Sequence, residues 1–143
     1  MNTIGLLKFL RRQPWAIQAS TAADGGPQAA VVGFAVTDRF EIVFDTLGST
    51  RKAGNLRRNP QIALVIGWDE GQTAQIEGLA DEPQGDDLAR CQAFYFARFP
   101  EGTTRLSWPH LTYFRVRPTW IRLSDFRGGE PSVTVFDEAM LRE

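Results

Sequence analysis

Hydrophobic and polar positions along this chain follow two periods, one helical and one alternating. Ile4, Leu7 and Leu10 recur at helical spacing, which predicts a helix over residues 3–12, with Asn2 or Thr3 as its cap and Pro14 as its stop. Residues 15–23 read as a strand with Trp15 and Ile17 in the core, as Trp120 with Ile121 is on a later strand, and Asp24-Gly25-Gly26-Pro27 is a turn. Residues 28–36 are apolar and rich in Val and Ala, the pattern of a strand buried on both faces. Phe40, Ile42 and Phe44 share one side of a strand over 40–46, and a short helix over 50–58 is closed by Asn59-Pro60. A second apolar strand, 61–68, passes through a hairpin at Asp69-Glu70-Gly71 into a strand over 72–81. Leu88, Cys91, Phe94 and Tyr95 line one face of a helix over 83–99, whose early Asp86 and Asp87 suit the helix dipole. A loop over 100–109, a long strand over 111–123, a short strand over 132–136 and a charged end complete the chain.

That makes about six barrel-forming strands joined mostly by tight turns, with three helices inserted. Tight turns require antiparallel neighbours, because parallel strands need long crossovers. An antiparallel sheet of this size must curl or close to manage its edges, so the expected fold is mainly β: a small antiparallel barrel with peripheral helices.

Composition narrows the field. The 143 residues are 43% hydrophobic, 23% charged and 11% aromatic, as in one globular domain over residues 1–143. No apolar run approaches the roughly 18 residues that span a bilayer, and the basic residues follow the first apolar patch rather than precede it, unlike a secretory signal. With a single cysteine there is no internal disulfide framework, which points to the cytoplasm. One His and one Cys build neither a zinc site nor a Ser-His-Asp set, and Cys91, on an apolar helical face, reads as a small buried hydrophobe, so no catalytic residue is assigned.

Sixteen basic residues stand against 17 acidic ones, so nothing in the total charge draws the chain to nucleic acid. The distribution is more telling: residues 51–58 hold Arg51, Lys52, Arg57 and Arg58 with no acid, while acids gather over 81–87 and 130–143. One basic segment on a neutral protein fits a small anionic ligand. Its setting agrees. Phe44-Asp45-Thr46-Leu47-Gly48-Ser49-Thr50-Arg51-Lys52 runs from a strand end into a helix start, where unpaired N–H groups and the positive dipole end attract an anion. Ser49 and Thr50 add hydroxyls, Arg51 and Lys52 add charge, and Gly48 permits close backbone approach. The same features also describe a surface helix capped by Ser49 with solvated arginines.

Over this stretch the chain resembles the pyridoxamine 5'-phosphate oxidase-like FMN-binding split barrels. The resemblance rests on Gly26-Pro27, Phe44, Thr46, Thr50-Arg51-Lys52, Leu56, Asn59-Pro60, Ile62-Ala63-Leu64-Val65 and Ile76-Glu77-Gly78 at matching spacings. It covers residues 15–82 well and 113–123 loosely. It implies a six-stranded antiparallel split β-barrel of Greek-key type that forms a homodimer with FMN in grooves between the subunits. By position, Arg51 and Lys52 hold the phosphate with Ser49 or Thr50 assisting, and Asp45 and Thr46 lie at the strand end beside the flavin. The strand carrying Ala30, Val31 and Val32 runs along the ring, and Thr73 reaches the cofactor from the same groove.

The family's oxidases carry an arginine and a lysine where this chain has Ala30 and Ala35, a tryptophan where it has Ser124, and a late Arg-x-His that it lacks. Those departures point away from vitamin B6 phosphates as substrates. The expectation is flavin-mediated hydride transfer on another small molecule. A deazaflavin reductase of the same fold and a non-enzymatic flavin or haem carrier are the alternatives, and a nucleic-acid-binding barrel using Arg51, Arg57 and Arg58 is a remoter one.

Overall fold

A computed structural model describes residues 1–142; Glu143, the last acid of the tail, lies outside the described residues. The order is α1 (Thr3–Arg12), β1 (Ala16–Thr21), β2 (Pro27–Val32), β3 (Ala35–Val36), β4 (Ile42–Leu47), α2 (Arg51–Arg58), β5 (Gln61–Ile66) and β6 (Gln72–Asp81). It continues with α3 (Gly85–Arg98), a 3-10 segment (Pro100–Ser107), β7 (Leu111–Asp125), β8 (Ser132–Asp137) and α4 (Glu138–Leu141). The strands pair antiparallel in the order β2-β1-β5-β6-β7-β4-β3, with β8 added on β7. No described helix is long and apolar enough to cross a membrane.

β2 and β3 stand at opposite ends of this order, yet only Gly33 and Phe34 separate them. Three residue steps reach at most about 11 Å, so the two ends of the sheet must come together. The sheet is therefore a barrel split along one seam, with α1 and α2 packed against its inner-face residues. Two sequence expectations change here. The strand expected over 28–36 is broken in two, which with β8 raises the strand count to eight. Nor is it buried on both faces: β2 is an edge strand, and Val31 is 61% exposed. Closing the barrel demands the break, because Phe34 turns into the core while a Cβ on Gly33 would press on the Phe99 ring at 3.1 Å. Trp15, expected in the core, is exposed just before β1, Ile17 and Trp120 are only half-buried, and a short helix, α4, follows β8.

Inner-face residues Ala16, Leu64, Ile66, Ala74, Ile76 and Ile121 pack with stacked Phe44 and Phe114, under Leu6, Phe9 and Leu10 of α1. A second cluster, Ala35, Val43, Cys91, Tyr95 and Tyr113, seats α3 on the barrel wall. Cys91 is fully buried there, and that burial pushes its thiol pKa up. β6 shifts register at Glu77/Gly78, where a Cβ would lie 2.6 Å from the Arg117 carbonyl oxygen, so only glycine fits.

Candidate functional site

The β4–α2 turn assembles the basic helix start. Thr50, rather than Ser49, is the N-cap: its Oγ1 accepts from the Ala53 N–H at 3.4 Å and donates to the Leu47 carbonyl at 2.9 Å. Thr46, the penultimate residue of β4, has its Oγ1 3.0 Å from Thr50 Oγ1, and Lys52 Nζ reaches Thr46 Oγ1 at 3.5 Å. Burial lowers the Lys52 pKa, because an ammonium drawn from water with no counter-charge is disfavoured.

The four cations of residues 51–58 separate into two pairs. Arg57 grips Glu82 with two bonds of 2.7 and 3.1 Å and also donates to the Gly48 carbonyl, while Arg58 donates to Asn55 Oδ1 at 3.0 Å. Arg51 and Lys52 have no ion-pair partner among the described residues. They line a cleft of about 430 Å³ with Ser49, Thr50, Ala29, Ala30, Gln28, Ser20 and Gln18. That volume is within the usual range for small-molecule sites.

The floor of the cleft was not anticipated. Asn55, buried on α2, donates to Ser20 Oγ at 3.1 Å and Gln28 Oε1 at 2.9 Å, which clamps the helix over β1 and β2. Gln18, two residues before Ser20 on the same face of β1, is 1% exposed, and its Oε1 has no hydrogen-bond partner. The signal was present in the chain: Gln18 and Ser20 are polar residues at inward positions of an alternating strand, and a polar residue there needs a partner.

The remaining candidates are spread out. Ala30 lines the cleft, Val31 points to the opposite, exposed face, and Val32 is buried in the core. Thr73, on β6, pairs with Ser124 one residue beyond the row that joins Val32, Ala16, Ile66 and Ala74. It is three strand spacings, or about 14 Å, from β2 and does not line the cleft. Asp45 turns away from its neighbour Thr46: its carboxylate accepts from Tyr95 Oη at 2.9 Å and from Arg105 Nε at 3.0 Å, tying α3 and the 3-10 segment to β4. Outside the cleft, Arg98 at the end of α3 donates to the Arg11 and Gln13 carbonyls at the end of α1.

A split antiparallel barrel with a basic helix start beside its edge strand is the frame of a small-ligand-binding β protein. The profile of the pyridoxamine 5'-phosphate oxidase family matches residues 5–125, and the chain belongs to that family. A pyridoxine/pyridoxamine 5'-phosphate oxidase of Burkholderia vietnamiensis is 33% identical over 91 residues, 63% of this chain and 41% of that protein. The chain thus spans about two fifths of that relative's length. Among solved structures, a heme binding protein of Mycobacterium smegmatis superposes with a TM-score of 0.82 at 15% identity, over 95% of this chain and 58% of that one. A pyridoxamine 5'-phosphate oxidase-related, FMN binding protein of Nostoc punctiforme superposes at 0.71 with 12% identity, over 94% of this chain and 87% of that one. At those identities the two structures establish the shared fold.

Proposed function

We propose that this protein is a cytoplasmic, homodimeric FMN-dependent oxidoreductase whose cofactor lies in a groove between subunits, with its phosphate at the start of α2. The observation that carries the reading is the pair of cations without acidic partners, Arg51 and Lys52, opening onto a cleft with a polar floor. The donor set suits a phosphate ester: two full charges, the Ser49 hydroxyl and the first-turn N–H groups of α2. Gln18, Ser20 and Gln28 offer polar atoms to a hydroxyl-bearing chain, and β2, an edge strand, has one side of its backbone free of a strand partner. The family's name and the FMN binding protein of Nostoc punctiforme support the same reading.

Bound FMN supplies the hydride-accepting chemistry. The chain's own work is to anchor, orient and shield, which suits a cleft with no acid–base pair. Substrate recognition differs from that of the B6 oxidases. An apolar cavity of about 330 Å³ lies between Phe34, Ala35, Val36 and Phe94, flanked by Arg11 and Arg98. Arg11 is held by the Val36 carbonyl and by Asp38, and Arg98 by the Arg11 and Gln13 carbonyls, so the donors that flank this cavity are already in use.

Charge-assisted bonds are worth about 1.5–3 kcal/mol each, so Arg51→Ala with Lys52→Ala is expected to weaken FMN binding at least about a hundredfold in a fluorescence titration. A double variant that purifies as yellow as its parent would sink the reading. A second reading, a haem carrier without turnover, draws on the name of the M. smegmatis relative and on His110, exposed before β7 with φ 64°. It requires haemin to bind through His110 and H110A to lose that spectrum. Steady-state turnover with NADH or NADPH supports the enzyme instead.

A further inference from the structure

Gln18 has no counterpart in the motif that identifies the family, and its placement demands an explanation. Its side chain is 1% exposed, its carbonyl oxygen is buried without a partner, and it lines the same cleft as Thr50, Arg51 and Lys52. Its strand neighbours across the inner face are Ala30 and Leu64, and neither side chain can hydrogen-bond to it. The adjacent polar groups are already engaged with one another: Asn55 donates to Ser20 and Gln28 and accepts from Arg58. Lys52 lies one helical turn before Asn55, so the face of α2 that clamps Ser20 also carries Lys52 over Gln18.

A buried carbonyl without a donor is unfavourable, and an apolar residue of the same shape would remove that cost. We infer that Gln18 is a specificity-determining residue that accepts a hydrogen bond from a hydroxyl on the carbon chain next to the bound phosphate. The inference rests on the FMN reading, in which that chain is the ribityl group. The location fixes the assignment, because the atoms nearest a phosphate held by Arg51 and Lys52 are those of the chain esterified to it. Gln18 therefore separates a polyol phosphate from bare phosphate, which the two cations alone cannot do.

The test is a two-sided comparison of Q18L with the parent, using FMN, ribitol 5-phosphate and inorganic phosphate as probes. The apoprotein's Tm is expected to rise by roughly 2–4 °C. The FMN Kd is expected to rise about tenfold, the loss of one satisfied buried hydrogen bond. Ribitol 5-phosphate should displace FMN better than inorganic phosphate from the parent, and that advantage should shrink in Q18L. A lower Tm with unchanged FMN affinity would make Gln18 a purely structural residue and overturn the inference. Q18M, unbranched and closer to glutamine in length, makes the same comparison if Q18L does not fold. A parent that binds no FMN overturns the cofactor reading itself, whereas a parent that binds FMN no better than Q18L does overturns only the role of Gln18.

Discussion

Lys52 and Arg57 share one short helix and have opposite surroundings. Arg57 is neutralised by Glu82, whereas Lys52 is half-buried with a threonine hydroxyl as its nearest polar contact. Burial therefore lowers the Lys52 pKa, and a bound phosphate would raise it again. The sign follows directly: FMN affinity is full while Lys52 is protonated in the free protein and falls as pH rises from that lowered pKa toward the raised one of the complex. On the acid side, affinity rises through about pH 6 as the phosphate gains its second charge. An FMN Kd profile over pH should show both limbs, and K52R, charged throughout, should lose the alkaline one. A parent with no alkaline limb would place Lys52 away from the phosphate. Sequence reading identified the two cations but chose Ser49 as helix cap. Both residues carry a hydroxyl, and only the backbone angles of the turn decide which one closes the helix. Gln18 is legible as a polar residue at an inward strand position, whereas Asn55 is not, because its partners Ser20 and Gln28 lie far from it in the sequence.

At the level of elements, neighbouring positions on a strand serve different sides, and β4 shows the consequence. Thr46 turns toward α2, while Asp45 turns toward α3 and the 3-10 segment. Burial, with Asp45 adding to it, pushes the Tyr95 pKa up, so its hydroxyl stays a proton donor to that carboxylate. D45N is accordingly expected to cost about 1–3 kcal/mol of stability and to speed proteolysis within residues 100–110, because Arg105 loses its counter-charge. FMN affinity should stay within about threefold of the parent. Affinity that collapses at unchanged Tm would return Asp45 to the cofactor site. Elements set by local pattern were fully legible: the helix over 3–12 and the strand over 72–81 match α1 and β6 at both ends. The interruption of 28–36 was not, because Gly33 and Phe34 break the strand to close a sheet whose other end lies far along the chain.

On the scale of the whole molecule, the outer face of β2, β1 and β5 is the remaining anomaly. Val31, Ile17 and Val65 form one row across it and Ala29, Ala19 and Ala63 the next, and none of the six is buried. A solvent-facing sheet surface normally alternates to polar residues, so this one calls for a cover. In the proposed homodimer, a second copy of the chain applied face to face about a two-fold axis would supply that cover and repeat each contact. Thr73 lies three strand spacings from β2, so the cofactor contact that the resemblance implies for it would have to be made across such a dimer. V31D places an unpaired carboxylate on the β2 edge of that face, where burial in an interface costs several kcal/mol. In sedimentation equilibrium the parent should be a dimer at micromolar concentration and V31D a folded monomer, its far-UV spectrum unchanged. If the groove between subunits completes the FMN site, V31D also binds FMN more weakly and regains affinity as its concentration is raised. A monomeric V31D that binds FMN as tightly as the parent would confine the whole site to one barrel, leaving the apolar face with a partner other than a second copy.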